Sequence, residues 1–342
     1  MRIARSIGPA TVATVVILLL PLALPEALLT IYIFIGLSTM VVSGLSLLMG
    51  FAGQVSLGQA AFYAIGAYSA GLLARDLKLP SLLSLAIAPA AAAAIAYVVG
   101  LPLLRLRGHY LAFGTLAFQL ITLSLIGEAR DITGGDTGLT AIPPLGIGPL
   151  LVEGPFKSIV FGYLAWGLAL LSLLFNARLV RSRPGRALRA LATSEAGALA
   201  SGVPVGRYKL QVFALSAAYA GLAGGVYAFY VTYIAPGSFP LVRSIEFLIM
   251  ATVGGLGSVW GSAVGASVVF LVVQILQSLG TVPGMPLRAP AVFSYAVYGS
   301  ILIGMMLLLP QGVIPALRSA FRVPSSGSAK NAEPGTRNTE PV

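Results

Sequence analysis

Neutral polar residues recur at helical spacing in an otherwise apolar chain. Ser56, Gln59 and Tyr63 fall at i, i+3 and i+7, Thr115, Gln119 and Thr122 at i, i+4 and i+7, and Ser267, Gln274 and Gln277 at i, i+7 and i+10. Ser294 and Tyr298 form a shorter pair. Each set would place its side chains on one helix face. In hydrocarbon such groups must find partners, so each face serves either helix–helix hydrogen bonding or the lining of a passage. Gln54 precedes the first set. No Asp, Glu or Lys sits in the middle of an apolar run, which disfavours the relays of an ion-coupled carrier. A neutral path suits a zwitterion or an amide.

Other chemistry is excluded by what is missing. The chain has no cysteine and one histidine, His109, so thiol nucleophiles, iron–sulfur clusters and sites built from several histidines are ruled out, and no metal site is expected. Gly-Lys never occurs, so the chain has no Walker loop, holds no nucleotide cofactor of its own and is not expected to be an enzyme. No carboxylate pair or Ser/Lys arrangement lies at membrane depth, against an intramembrane hydrolase. Asp131 and Asp136 flank a glycine-rich turn and read as solvated. Arg243 and Glu246, at i, i+3, read as an ion pair.

The elements that must position these residues are membrane helices. Only 9% of the 342 residues are charged against 57% hydrophobic, too few to build a water-facing surface. A hydrocarbon core about 30 Å thick needs roughly 20 apolar residues per helix. Ten runs qualify, near 9–28, 31–49, 55–74, 80–104, 109–127, 157–177, 209–232, 245–257, 260–279 and 291–310. The fold expected is all-α and polytopic, with about ten transmembrane helices. The first run follows Arg2 and Arg5 but lacks a small-x-small cleavage site, so it reads as a retained helix. With both termini cytoplasmic, most of the 21 basic residues fall inside, among them Arg105, Arg107, Arg178, Arg181, Arg183, Arg186, Arg189, Arg207 and Lys209. Residues 1–322 form the membrane domain. Residues 323–342, poor in large apolar side chains, are expected to be a disordered cytoplasmic tail.

The longest inward loop, about 178–208, predicts one short helix with Leu188, Leu191 and Leu199 on a shared face. Leucines displayed outside the bilayer must be covered by headgroups or by a partner protein. Gly50-x-x-Gly53 and Gly254-x-x-Gly257 repeat one spacing at inward turns, where glycines permit either broken helices or close packing.

Several strings together resemble branched-chain amino acid permeases of ABC transporters, most nearly the LivM-type subunit. They are Gly50-Phe-Ala-Gly-Gln-Val-Ser-Leu-Gly-Gln-Ala-Ala-Phe-Tyr-Ala-Ile-Gly-Ala-Tyr68, Arg105-Leu-Arg-Gly-His-Tyr110, Thr133-Gly-Gly-Asp-Thr-Gly-Leu139, Ser182-Arg-Pro-Gly-Arg-Ala-Leu188, Arg207-Tyr-Lys-Leu210, Gly254-Gly-Leu-Gly-Ser258 and Leu309-Pro-Gln-Gly312. The resemblance spans about residues 31–315. It departs from the family's acidic coupling stretch at Ala192-Thr193-Ser194-Glu195, where only the glutamate is kept. The resemblance implies import of branched-chain amino acids, a homologous LivH-like permease partner, two cytoplasmic ATPase subunits that use ATP, an external substrate-binding protein, and residence in a bacterial or archaeal cytoplasmic membrane, with lipid around it and no role for nucleic acid. Arg186, Leu188, Leu191, Glu195, Gly202 and Arg207 would then engage the ATPase, Gln54, Ser56, Gln59, Tyr63, Thr115 and Gln119 would line the pathway, and Gly53, Gly58, Gly254 and Gly257 would serve the gate. Permeases for urea, amides or other amino acids are the nearest alternatives, with an ion-coupled carrier behind them.

Overall fold

The structure is a computed structural model, and it describes residue 21 and residues 24–106, 108–147, 150–279 and 299–300. In chain order the helices are α1 (Glu26–Ala52), α2 (Gln59–Arg75), α3 (Ser81–Leu103), α4 (His109–Glu128), a single turn α5 (Arg130–Thr133), α6 (Lys157–Arg181), α7 (Arg183–Thr193), α8 (Glu195–Ala200), α9 (Val205–Val231), α10 (Leu241–Gly254) and α11 (Gly261–Leu279). One two-residue hairpin pairs Gly146 with Leu151 and Ile147 with Leu150. The second to ninth apolar runs each coincide with a helix. Among the described residues six helical stretches are long and apolar enough to cross a membrane: α1, α3, α4, α6, α9 and Pro236–Gly254. The protein is an all-α, polytopic membrane protein apart from that hairpin. Most of the first run, all of the tenth run but residues 299–300, and the tail 323–342 lie outside the described residues.

Helix α1 is the axle of the bundle. It packs against α6, α9, α11, α10 and α7, and most of its surface is covered. Helices α3 and α4 sit at the periphery and leave Tyr97, Val98, Leu101, Phe113, Ile121 and Leu125 exposed, an apolar face suited to lipid.

Small residues let α2, α3 and α9 approach closely. A Cβ on Gly66 would stand 2.1 Å from the Gly221 carbonyl oxygen, and one on Gly224 1.9 Å from that of Tyr63. Ala88, Ala92 and Ala96 are fully buried on the α3 side of the same contact. A polar belt ties α6 to α1 and α9: Ser43 and Ser172 share a hydroxyl–hydroxyl bond of 3.1 Å, Asn176 Nδ2 donates to the Ser43 carbonyl at 3.0 Å, and Tyr219 donates to Asn176 Oδ1 at 3.0 Å.

The contacts sort the charges to two ends. Gly100 of α3 meets Leu210 at the start of α9, and Gly53 meets Ala192 of α7, so Arg105, Arg178, Arg181, Arg183, Arg186, Arg189, Arg207 and Lys209 share one end. Glu195 is the one acid there among the described residues. The opposite end mixes signs. There Arg75 bonds Asp76 and the Ile132 carbonyl, Ser81 bonds the Pro144 carbonyl, and the Leu139–Ile234 bridge ties the 134–147 loop to the end of α9.

Candidate functional site

The site is built around a helix that starts in the middle of the protein. Leu48, Gly50 and Gly53 lie at the basic end, where α1 terminates with Gly53 in the left-handed region (φ 65°) and the Gln54 amide donating to the Leu48 carbonyl. Residues 53–58 are not helical, and α2 begins only at Gln59. Gln59 Nε2 donates at 3.1 Å to Ser216 Oγ, half-way along α9, and Gly44 of α1 lies against the same serine. The segment therefore runs from the basic end back into the body, and α2 starts at depth. The expected span 55–74 is corrected accordingly: Ser56 precedes the helix and is not on its face.

Non-helical backbone at membrane depth must be satisfied by the protein. Buried polar side chains meet this need. Thr115 Oγ1 accepts from the Leu57 amide at 2.9 Å, Ser56 Oγ from the Gly58 amide at 3.4 Å, and Ser244 Oγ from the Ala60 amide at 2.9 Å. Ser244 in turn donates to Gln119 Oε1, and Gln119 Nε2 reaches the Pro240 carbonyl at 3.4 Å. Thr115, Gln119, Ser216 and Ser244 are all fully buried. Helices α4 and α10 thus cap the internal start of α2, and α9 holds the Gln59 side chain. Ser216 and Ser244, which do this work with Thr115 and Gln119, escaped the sequence reading because each is a lone serine on its helix. Gln54 is buried with neither side-chain atom bonded, and Gln59 Oε1 is likewise unpaired.

The glycine repeats meet in space. A Cβ on Gly50 would fall 2.2 Å from the Gly257 amide nitrogen, and one on Gly58 2.9 Å from the Thr115 carbonyl oxygen. The second break, 255–260, separates α10 from α11, with Gly257 at φ 85° and Gly254 packed on Gly261. The α10–α11 pair is a close hairpin, whereas α1 and α2 scarcely touch because α9 lies against both.

A cavity of about 250 Å3 opens beside α2, toward the end away from the basic cluster. That exceeds the one-water minimum of about 15 Å3 many times over and falls just under the range of drug-sized sites, roughly 300–1,000 Å3. Tyr63 joins its wall, packed edge-on against Phe239 and Phe247. Gln274 lines it too; Ser267 instead bonds back to the Ala263 carbonyl of its own helix, and the Gln277 side chain, Ser294 and Tyr298 lie outside the described residues. Arg243 and Glu246, which the sequence presents only as an ion pair, make that pair at 2.9 Å in the cavity wall.

The cytoplasmic-loop expectation needs two corrections. The loop forms two helices, not one: Ser194 adopts an extended conformation (φ −157°, ψ 116°) and caps α8 by accepting from the Gly197 amide at 3.1 Å, as Ser182 caps α7. Leu199 therefore does not continue the face of Leu188 and Leu191. Moreover, Leu188 and Leu191 are 1% and 5% exposed, buried on the chain's own α1, α6 and α9. An amphipathic helix buries its apolar side on whatever is nearest, and here that is its own bundle. The surface it leaves is Arg186, Arg189, Ala192, Thr193, Ala196, Leu199, Gly202 and Arg207. Glu195 is held by Lys209 Nζ at 2.7 Å. His109 is exposed at the start of α4, and Asp131 and Asp136 are exposed in the opposite loop. Among the described residues no group of His, Asp and Glu could hold a metal ion.

The sequence profile of a family described as "Branched-chain amino acid transport system / permease component" matches residues 27–309. The chain belongs to that family. Similar proteins include the high-affinity branched-chain amino acid transport system permease protein LivM of Escherichia coli, 32% identical over 89% of this chain and 72% of that protein. A probable branched-chain amino acid transport permease protein LivM of Methanocaldococcus jannaschii is 27% identical over 66% of each chain. The probable LivH permease of the same organism is 28% identical over 64% of this chain and 69% of its own. No solved structure matches significantly. The internal break leads from the basic end to the start of α2, and the cavity lies farther along, at Tyr63. A Cβ on Gly53 would stand 3.7 Å from the Ala192 Cα of α7, Gly53 opens the break, and the break leads to α2 and Tyr63.

Proposed function

We propose that this chain is the LivM-type membrane subunit of an ATP-driven importer of branched-chain amino acids. It works in a bacterial or archaeal cytoplasmic membrane beside a homologous LivH-like permease. Two ATPase subunits engage the basic end from the cytoplasm, and a substrate-binding protein docks opposite. Residues 1–322 span the membrane about ten times with both termini inside, and 323–342 form a cytoplasmic tail. The chain is not an enzyme and needs no cofactor; ATP is used by the partners.

The observation that carries this reading is the family match across residues 27–309, supported by a basic end with a single acid among the described residues. Coupling runs through α7 and α8, with Arg186, Leu199, Gly202 and Arg207 presented to the ATPase and Leu188 and Leu191 fastening the helix to the bundle. A stroke on α7 passes through Ala192 to Gly53. The glycine break, with Gly58, Gly254 and Gly257 packed backbone to backbone, then hinges the gate. Gln54, Ser56, Gln59, Tyr63, Thr115 and Gln119 lie along that route.

The test is uptake in cells that lack branched-chain transport. Expressed with its sister permease, ATPases and receptor, the chain restores accumulation of labelled leucine. Complete assembly with no leucine accumulation, but with uptake of urea or an amide, would overturn the substrate assignment.

A further inference from the structure

We propose that the cavity beside α2 is a transient amino-acid site within this subunit, with Arg243 receiving the substrate carboxylate and Glu246 its ammonium group. The inference rests on the import reading and adds to it a place and two residues.

The wall chemistry is divided as a branched-chain zwitterion requires. Phe34, Leu37, Phe247, Met250 and Phe270 supply apolar surface on α1, α10 and α11. At the start of α10 Arg243 and Glu246 place opposite charges in the same wall, 2.9 Å apart. Glu246 is largely buried, its side chain 13% exposed. The Arg243 side chain is 37% exposed, so the pair is only half sunk: it adds little stability, and Glu246 bears the desolvation cost. Such a pair is better accounted for as a receptor for a dipolar guest. A zwitterion offers a carboxylate to the guanidinium and an ammonium to the carboxylate, so its two ends are complementary to the two members of the pair. The size suits one small amino acid and not a larger solute, at about 250 Å3. Tyr63, next to the internal start of α2, forms part of the same wall, so movement of the break would reshape the cavity. A pocket of mixed character also meets a carrier's need to release what it holds.

The chain has no native cysteine, which makes a single reporter clean. In the complete transporter in nanodiscs, Gln274→Cys places a thiol in the cavity wall. Its rate of alkylation, read as a mass shift on this chain, is measured with L-leucine, with leucinol, which lacks the carboxylate, and with 4-methylpentanoate, which lacks the amine. Leucine should slow the reaction, and both analogues should do so less. Arg243→Gln should raise the half-protecting leucine concentration about tenfold or more, the loss expected of a charge-assisted hydrogen bond, while Arg243→Lys recovers part of it. Glu246→Gln should erase the preference for leucine over 4-methylpentanoate. Leucine transport by the parent complex separates the two readings. If the parent transports leucine but leucine gives no protection, or leucinol and leucine protect alike, this site is refuted and the importer stands. If the parent moves no leucine, the importer reading fails first.

Discussion

Removal of one hydroxyl tests whether α2 truly begins inside the membrane. Ser244 Oγ accepts from the Ala60 amide at 2.9 Å and donates to Gln119 Oε1, and all of these groups are buried. Ser244→Ala leaves a helix-start donor and a glutamine acceptor without partners. Orphaned buried groups cost about 1–3 kcal/mol each in water-soluble proteins, but interhelical bonds in membranes average about 0.6 and reach about 1.7 kcal/mol. Together the two losses amount to about 2 kcal/mol, a roughly thirtyfold change in the folded-to-unfolded ratio. Equilibrium unfolding in mixed micelles reads this directly. Ser262→Ala is the control: its hydroxyl is equally buried but bonds only the Val259 carbonyl three residues back, so about 0.5 kcal/mol is expected. The Ser244→Ala, Gln119→Leu double variant should lose less than the sum of the singles, because removing both partners removes one orphan. Equal losses for Ser244→Ala and Ser262→Ala, or strict additivity in the double, would refute the internal cap.

Leu191→Asp buries a carboxylate in the chain's own core and should cost about 3 kcal/mol or more, seen as loss of folded protein, whereas Leu199→Asp at an exposed position should fold normally and lower transport per ATP hydrolysed. Gly66→Ala drives a methyl group into the Gly221 carbonyl and should destabilise by about 2 kcal/mol, measured by thermal unfolding in detergent. Glu195→Gln breaks a partly exposed pair with Lys209 and should change stability by about 0.5 kcal/mol, measured the same way.

The membrane helices were legible because each needs a long apolar run, a signal that survives without tertiary information. Their faces were legible only in part. Thr115 and Gln119 could be recognised as a polar face, yet periodicity could not reveal that Thr115 accepts from the Leu57 amide or that Gln119 holds Ser244, which accepts from the Ala60 amide. A helix that starts at depth looks, as a string of apolar residues, like one that crosses. The start is marked only by Gly53, Gly58 and the serine between them. Leu188 and Leu191 were misassigned for a related reason: an amphipathic pattern tells which side is buried and says nothing of what buries it. The glycine repeats were legible as small residues at two turns, and of the two uses open to them Gly50 shows close packing, against Gly257.

Import driven by the partners' ATP is tested most directly with purified components. Proteoliposomes holding this chain with its sister permease and ATPases, supplied with the loaded receptor, should accumulate leucine when ATP is present on the ATPase side and no ion gradient exists, and the chain alone should accumulate none under a sodium or proton gradient. Gradient-driven uptake by the solitary chain would contradict it.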